Sequence, residues 1–493
     1  MGHDPVREAG GGCFRLTLGP ASTTAPGAAA EALARFAAEL TFERLPATLV
    51  EDTKLRFLDV LGCGLAAHSR GHARSVSEGL RTLYSEGQAT VLGEAAGLPG
   101  PAAACVNGAL CHALDFDDTH PGAITNVTAV IGPAVLAAAE LSGAAGQECL
   151  VALIIGSEIA VRLGLAAAPA FMRSGFHPTS VCGVFGAAAA VSRLWGLDRR
   201  ATCNSLAIAG SLASGIYEHL ADGSSTKILH PGWAAQSGLI AAAFARSGLD
   251  GPATVLEGTF GVLRSHFGLP GDVITAQLDG LGEQWLAGGI AFRPYPACNM
   301  LHSSLDSVQT ILATGHSSPA DIREVRVSVP APAAAIVLEP IDIKRRPRSA
   351  YDARFSLPYS VASLIVHGRV DLDTYTEAAI SDPAVLSLAD RVRYVAAEFA
   401  TFPESYPCSL EIEYLDGSVA RANLNHHRGS PAYPMAAADV LGKFRSNATE
   451  ALGWGGSAAL EAAAMSLDRA DDVGALSACL RAVATATTAP RTP

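Results

Sequence analysis

Long runs of small, mostly apolar residues leave this chain few folds to choose from. Residues 129–145, 148–168, 180–197, 201–215 and 232–247 are each rich in alanine. Alanine has the highest helix propensity and no side-chain entropy to lose, so these runs favour closely packed helices. Several are apolar nearly all round, as helices packed on every side must be. Gly143, Gly164, Gly196 and Gly248 punctuate the runs and read as C-terminal stops. Ahead of them, Leu55, Leu58, Val60, Leu61 and Leu65 recur at spacings near three and four, the mark of one buried helical stripe. From about Ala28 to Gly289 the chain therefore reads as helical.

The texture changes near Gly289. Residues 323–329 (REVRVSV) and 409–415 (SLEIEYL) alternate with period two, and the second runs into Asp416-Gly417, a strand entering a hairpin. Between them, 356–367 and 373–395 read as helices. After Pro434 the helical pattern returns over 435–452, 456–465 and 472–485. The expected fold is mainly α: a large all-helical domain (28–289, returning over 432–493) interrupted by a smaller α+β lid (290–431). Residues 1–27, rich in Gly, Ala, Thr and Pro, read as a disordered extension. The seam between two such lobes is a usual place for an active site.

Charge and composition exclude several roles. A net charge of −12 over 493 residues argues against nucleic acid, which needs a basic footprint, while leaving room for a local anion pocket. The ten cysteines form no CxxC pair and read as reduced thiols of a cytoplasmic protein. No run reads as a membrane span, which needs about 20 apolar residues, and the N-terminus lacks the basic-then-apolar order of a secretory signal. There is no HExxH, zinc spacing, P-loop or GxSxG, and Gly10-Gly11-Gly12 does not sit between a strand and a helix, so neither a metal nor a nucleotide cofactor is expected.

Five segments carry the candidate chemistry. The first is His112 to His120, with Asp115, Asp117, Asp118 and Thr119 between them. Burying such a group is costly unless it is paired or used, although Asp117, Asp118 or Thr119 can equally cap the helix starting near Val127. The second is Gly175-Phe-His177-Pro-Thr179, a histidine held extended by the following proline just ahead of a helix. The third is Ser224-Ser-Thr226-Lys227-Ile-Leu-His230, whose lysine suits a carboxylate or is a solvated side chain at a helix entrance. The fourth is Phe292-Arg293-Pro-Tyr295-Pro-Ala-Cys298-Asn299, at the expected boundary. The fifth follows a basic run, ordinarily a solvated face, into Arg354, Ser356 and Tyr359, which can project toward the same cleft.

In this order the segments resemble the MmgE/PrpD family, which includes methylcitrate dehydratase, cis-aconitate decarboxylase and iminodisuccinate epimerase. The most specific stretches are DFDDTH (115–120), FHPTSVCGVFGAAAA (176–190), TKILHPGWAAQSG (226–238) and DARFSLPYSVA (352–362), and the similarity spans about residues 28 to 485. It implies a homodimer without metal or organic cofactor, acting on a small polycarboxylate. It also implies a pocket of Asp115, Thr119, His177, Lys227 and the lid residue Tyr359. Two positions depart from the pattern: Asn126 stands where the family usually has a histidine, and a lysine–histidine pair at the boundary appears as Arg293 and Cys298.

Those residues suggest roles. Lys227, Arg293 and Arg354 would hold carboxylates; His177 would be the general acid or base; Tyr359 would donate from the lid; Asp115 would orient His112 or His120. Asparagine cannot carry a proton near neutral pH, so His120 or His177 must supply that function if Asn126 lines the pocket. The leading expectation is a lyase, decarboxylating an unsaturated acid or dehydrating a hydroxy-tricarboxylate. The alternatives are an epimerase of a small dicarboxylate and a ligand-binding paralogue that has lost its proton carrier.

Overall fold

The computed structural model describes residues 28–315, 318–402 and 405–481; the expected extension over 1–27 lies outside them. The first part of the chain is helical: α1 (Ala28–Glu39), α2 (Ala47–Ser69), α3 (Arg74–Leu83), α4 (Gly100–His112), α5 (Thr128–Ser142), α6 (Gly146–Ser174), α7 (Pro178–Leu194), α8 (Arg199–Leu212), α9 (His219–Asp222), α10 (Leu229–Arg246), α11 (Val262–Phe267) and α12 (Thr275–Leu278). The alanine-rich runs are these helices. α7 lies against α5, α6, α8 and α10, and its residues Pro178 to Ser192 are all buried, which is why its sequence has no polar face.

Small residues let the helices approach to backbone contact. A Cβ on Gly108 of α4 would stand 2.6 Å from the Cα of Gly232 on α10, and one on Gly232 would overlap the carbonyl of Cys105. Gly143, Gly196 and Gly248 have positive φ at or just beyond helix ends, as stops should. Gly164 is different. It lies inside α6, where a Cβ would stand 2.6 Å from Ala123, so glycine here makes room for the loop after residue 119. Gly146–Ala168 of α6 is also long and apolar enough to cross a membrane, contrary to the sequence reading. Its most apolar window is 94 % buried inside the protein, and it carries the buried Glu158–Arg162 ion pair.

The α+β part contains α13 (His302–Leu312), β1 (Ile322–Pro330), α14 (Ala331–Val337), α15 (Ile341–Arg345), α16 (Ala350–Ala353), α17 (Leu357–His367), α18 (Pro383–Ala389), β2 (Val392–Ala397), β3 (Cys408–Tyr414) and β4 (Val419–Leu424). Its sheet has the order β2-β1-β3-β4, with β1 and β2 parallel and the other pairs antiparallel. In β3 Cys408, Leu410, Ile412 and Tyr414 face inward, the alternation seen in the sequence. The helix expected over 373–395 is corrected: only α18 is α-helical there, and the stretch ends in β2, whose Val392 pairs with Val325.

The chain then returns through α19 (Ala437–Met465, kinked at Gly453) and α20 (Gly474–Arg481). Phe444, Ala448, Leu452, Leu460 and Ala464 of α19 join the hydrophobic core of the first helices, against α2. A second core lies under the sheet, with Leu305 and Val308 of α13 and Val361 and Leu364 of α17. The nine cysteines of the described residues are unpaired.

Candidate active site

A cavity of about 90 Å³ opens where the two cores meet, lined from the helical side by Asp115, Thr119, Asn126, His177, His219 and Lys227 and from the other by Arg293, Cys298 and Asn299. The α4–α10 crossing explains why. His112 lies one turn beyond Gly108, and His230 just before Gly232, so the close approach of the backbones draws both ends toward one point. α4 ends in a loop whose Thr119 pairs with Ala291 (N–H to O 3.0 Å, and 2.7 Å in return). This two-residue clamp carries Arg293 alongside Asp115.

Asp115 is the electrostatic hinge of the site. Its φ of +50° lies in the left-handed region, which aspartate tolerates better than most residues. Ile124, across the same cavity, has φ +52°, a genuine strain for a β-branched residue. Lys227, in the short 3₁₀ turn leading into α10, donates to Asp115 Oδ1 at 2.5 Å. Arg293 donates to the same oxygen at 3.3 Å and to the main-chain oxygen of Asp115 at 2.8 Å. Burial alone would raise the Asp115 carboxyl, but Lys227, His112 and Arg293 together hold it well below the usual carboxylate range. The sequence reading had Asp115 orient His112 or His120; its hydrogen-bond partners are instead Lys227 and Arg293. That part belongs to Asp117, whose carboxylate meets His112 Nδ1 at 2.8 Å in a fully buried pair. Asp118 takes the capping role: it accepts from the N–H of Thr128 (3.1 Å) and from its hydroxyl, at the start of α5.

His177 is extended before Pro178, at φ −85° and ψ 111°, as the proline rule requires. Its N–H donates to Gly215 O at 2.9 Å, and Tyr217 N–H returns to Gly175 O at 2.7 Å, which brings Tyr217 and His219 into the cavity wall. His177 Nδ1 lies 3.0 Å from His230 Nδ1, so one of the two carries the shared proton. Burial, then the neighbouring His230 and His112 rings and Lys227, push His177 far below the ordinary histidine value; burial likewise brings His219 and His230 to about 4. All three imidazoles are therefore neutral at pH 7.

The wall holds open hydrogen-bonding capacity. Asp115 Oδ2, His219 Nε2, Arg293 Nε and both amide atoms of Asn299 are buried without a protein partner. Asn126 lines the cavity, its amide donating to Asp118 O at 2.8 Å and its N–H to Thr179 at 3.0 Å. Among the described residues no group of three or more His, Cys, Asp and Glu is arranged to hold a metal ion.

Four candidates stand apart from the cavity. Ser356 caps α17 by accepting from Tyr359 N–H (3.1 Å), and its hydroxyl donates to Lys344 O. That cap turns Tyr359 inward, where its hydroxyl donates to Thr374 O at 2.7 Å in the second core. Arg354 braces the site from behind, donating to Leu114 O and to Pro296 O (3.1 Å). His120 accepts from Ala123 N–H at 3.1 Å, and burial and Arg56 lower it to about 4. Residues that the sequence reading passed over take their place: Tyr217, His219, Phe355 and Tyr406 line the cavity, Phe355 with its ring 5.0 Å from Lys227 Nζ. Behind the loop, Lys443 of α19 donates to Asp59 (2.9 Å) and to Phe116 O (2.6 Å).

The family models for the MmgE/PrpD N-terminal and C-terminal domains match residues 31–272 and 295–469. The chain belongs to the MmgE/PrpD family. Within it, a cis-aconitate decarboxylase-like protein of Aspergillus oryzae is 27 % identical over 91 % of this chain and 96 % of its own. The cis-aconitate decarboxylase of Homo sapiens is 29 % identical over 88 % and 90 %, and that of Aspergillus terreus 24 % over 94 % and 97 %. Likeness of this extent makes this MmgE/PrpD chain an enzyme of the lyase type.

Proposed function

We propose that this enzyme removes CO₂ from a small unsaturated polycarboxylate. The observation that carries the reading is the convergence of Lys227, Arg293 and His177 on one cavity, with cations contributed from both sides of the seam. The relatives named cis-aconitate decarboxylases support the same chemistry.

The step follows from these residues. The bond between a carbon and its carboxylate breaks, and CO₂ leaves. The electron pair passes through the adjacent double bond to the carbon bearing a second carboxylate. Lys227 and Arg293 hold that carboxylate and stabilise the charge delocalised into it. A proton then adds to the carbon. His177 is the donor: beside the bound anion it takes a proton from solvent and, as the imidazolium, passes it from Nε2 to the carbon while its Nδ1–H is held by His230 Nδ1, returning to the neutral ring after each turnover. Decarboxylation needs one such carrier. Asn126 contributes hydrogen bonds but no proton, which favours this step over a dehydration, or over an epimerisation that takes a proton from one face of a carbon and returns it to the other with a second carrier.

Incubation in D₂O with cis-aconitate, citrate, methylcitrate and iminodisuccinate, followed by ¹H NMR, tests the reading. The expected result is CO₂ loss with one deuterium in the product. Alkene formation from a hydroxy acid, or deuterium wash-in without CO₂ loss, would replace it with a dehydratase or an epimerase.

A further inference from the structure

The cavity is charged at its floor and apolar toward its mouth. Asp115, His177, Lys227 and Arg293 are all at most 7 % exposed, whereas Leu220 at the rim is 46 % exposed. Between them stand the half-buried side chains of Ile124, Met300, Ile336 and Phe355. Met300 and Ile336 are packed against the second core, so this wall is fixed rather than loose. Phe355, beside Lys227, marks the border between the two halves.

Charge balance points the same way. Two cations line the cavity, and Asp115 already offsets one of them. The neighbouring imidazoles, shielded from water and set beside cations, add no standing charge beyond the one proton that the reaction consumes. A trianion would thus bring a third carboxylate with no cation left to face it, beside a largely apolar wall, which is expensive. A hydrocarbon arm there would gain what the carboxylate loses.

We propose that the substrate is an unsaturated dicarboxylate bearing a hydrocarbon arm of three or more carbons, its carboxylates on Lys227 and Arg293 and its arm along Ile124, Ile336 and Leu220. This rests on the decarboxylase reading and narrows it. In terms of the cis-aconitate skeleton, which is 3-carboxyglutaconate, the arm takes the place of the carboxylate at carbon 3.

Titration calorimetry of the full chain with glutaconate, its 3-methyl, 3-propyl and 3-hexyl derivatives and cis-aconitate tests this, with CO₂ release measured on the same compounds. Affinity should rise about three- to fourfold per methylene while the arm lies in the cavity. 3-Propylglutaconate should bind at least tenfold more tightly than cis-aconitate. In Ile336→Ala and Leu220→Ala the gain from methyl to hexyl should shrink. Equal or tighter binding of cis-aconitate, with no dependence on arm length, would overturn the inference and leave decarboxylation standing if CO₂ is released. A length dependence without CO₂ release from any compound would overturn the decarboxylase reading and support the arm pocket.

Discussion

Replacing Asp115 by asparagine should loosen the fold and, at the same time, tighten the binding of anions. The carboxylate is 2 % exposed and lies 2.5 Å from Lys227 and 3.3 Å from Arg293. Removing one partner of a buried ion pair costs about 3–5 kcal/mol, mostly because the other charge is left uncompensated. Asparagine keeps an oxygen for Lys227, tolerates the φ of +50°, and leaves Arg293 its 2.8 Å bond to the main chain. The cost should therefore sit near the lower end, about 3 kcal/mol. The ligand sees the opposite sign. A negative charge roughly 5 Å from a bound carboxylate repels it by about 3 kcal/mol at an effective dielectric of about 20. Removing that charge should lower the Kd for glutaconate at least tenfold, even with screening. Thermal denaturation and titration calorimetry on the same preparation read both effects. An unchanged melting temperature with weaker glutaconate binding would refute the reasoning, because Asp115 would then be a ligand contact and not the resting counter-ion of the two cations.

Other variants probe the remaining assignments. His177→Asn should lower kcat at least a hundredfold, by about the usual 10²–10⁴ for a positioned proton carrier, with the circular-dichroism spectrum unchanged; near-normal turnover would remove His177 from the mechanism. Tyr359→Phe should cost about 1 kcal/mol of stability through its lost bond to Thr374 and leave kcat within a fewfold of wild type, the reverse of what a lid proton donor would show. His219 and His230, at about 4 in the folded chain against about 6.5 unfolded, bind fewer protons folded than unfolded between those values. Stability should accordingly be full above pH 6.5 and fall toward pH 4, by up to about 1.4 kcal/mol per pH unit for each, and denaturant titrations across that range check the slope. Gly232→Ala, whose Cβ meets the Cys105 carbonyl, should cost about 1–3 kcal/mol and reduce kcat by displacing His230; Gly442→Ala, which meets nothing within 4 Å, is the control for both melting and turnover.

The helical frame was legible because alanine and glycine leave little else for those runs to do, and because β1 and β3 alternate cleanly. β2 was not. It follows α18 after two residues, and its pairing with β1 is parallel and distant, so nothing local separates it from a continuing helix. Within the site, Asp115, Thr119, Asn126, His177, Lys227, Arg293 and Cys298 share the cavity because each sits at a helix end, in the loop after α4 or in the boundary segment that follows the Thr119–Ala291 bridge. Arg354, Ser356 and Tyr359 were adjacent in sequence to cavity residues, but one cap decides their fate: Ser356 starts α17, and a residue three positions on faces the core. His120 was lost in the same way, to a tight loop folded back onto Ala123. His219 opens the short α9, between Gly215 and Gly223, whose glycines hinted at a special backbone; Tyr406 had no local signal at all.

The grip of Lys443 on the carbonyl of Phe116 joins residues 327 apart in the chain. The loop that holds Asp115 is made early during synthesis, yet the cation that steadies it emerges only after the whole sheet has been translated. Until then Asp59 lacks its counter-charge; in the finished fold burial pushes its carboxyl up to about 6 even with Lys443 in place. A nascent chain stalled before α19 would thus carry every cavity residue and still lack a finished cavity, so that competence arrives abruptly, at the end of assembly.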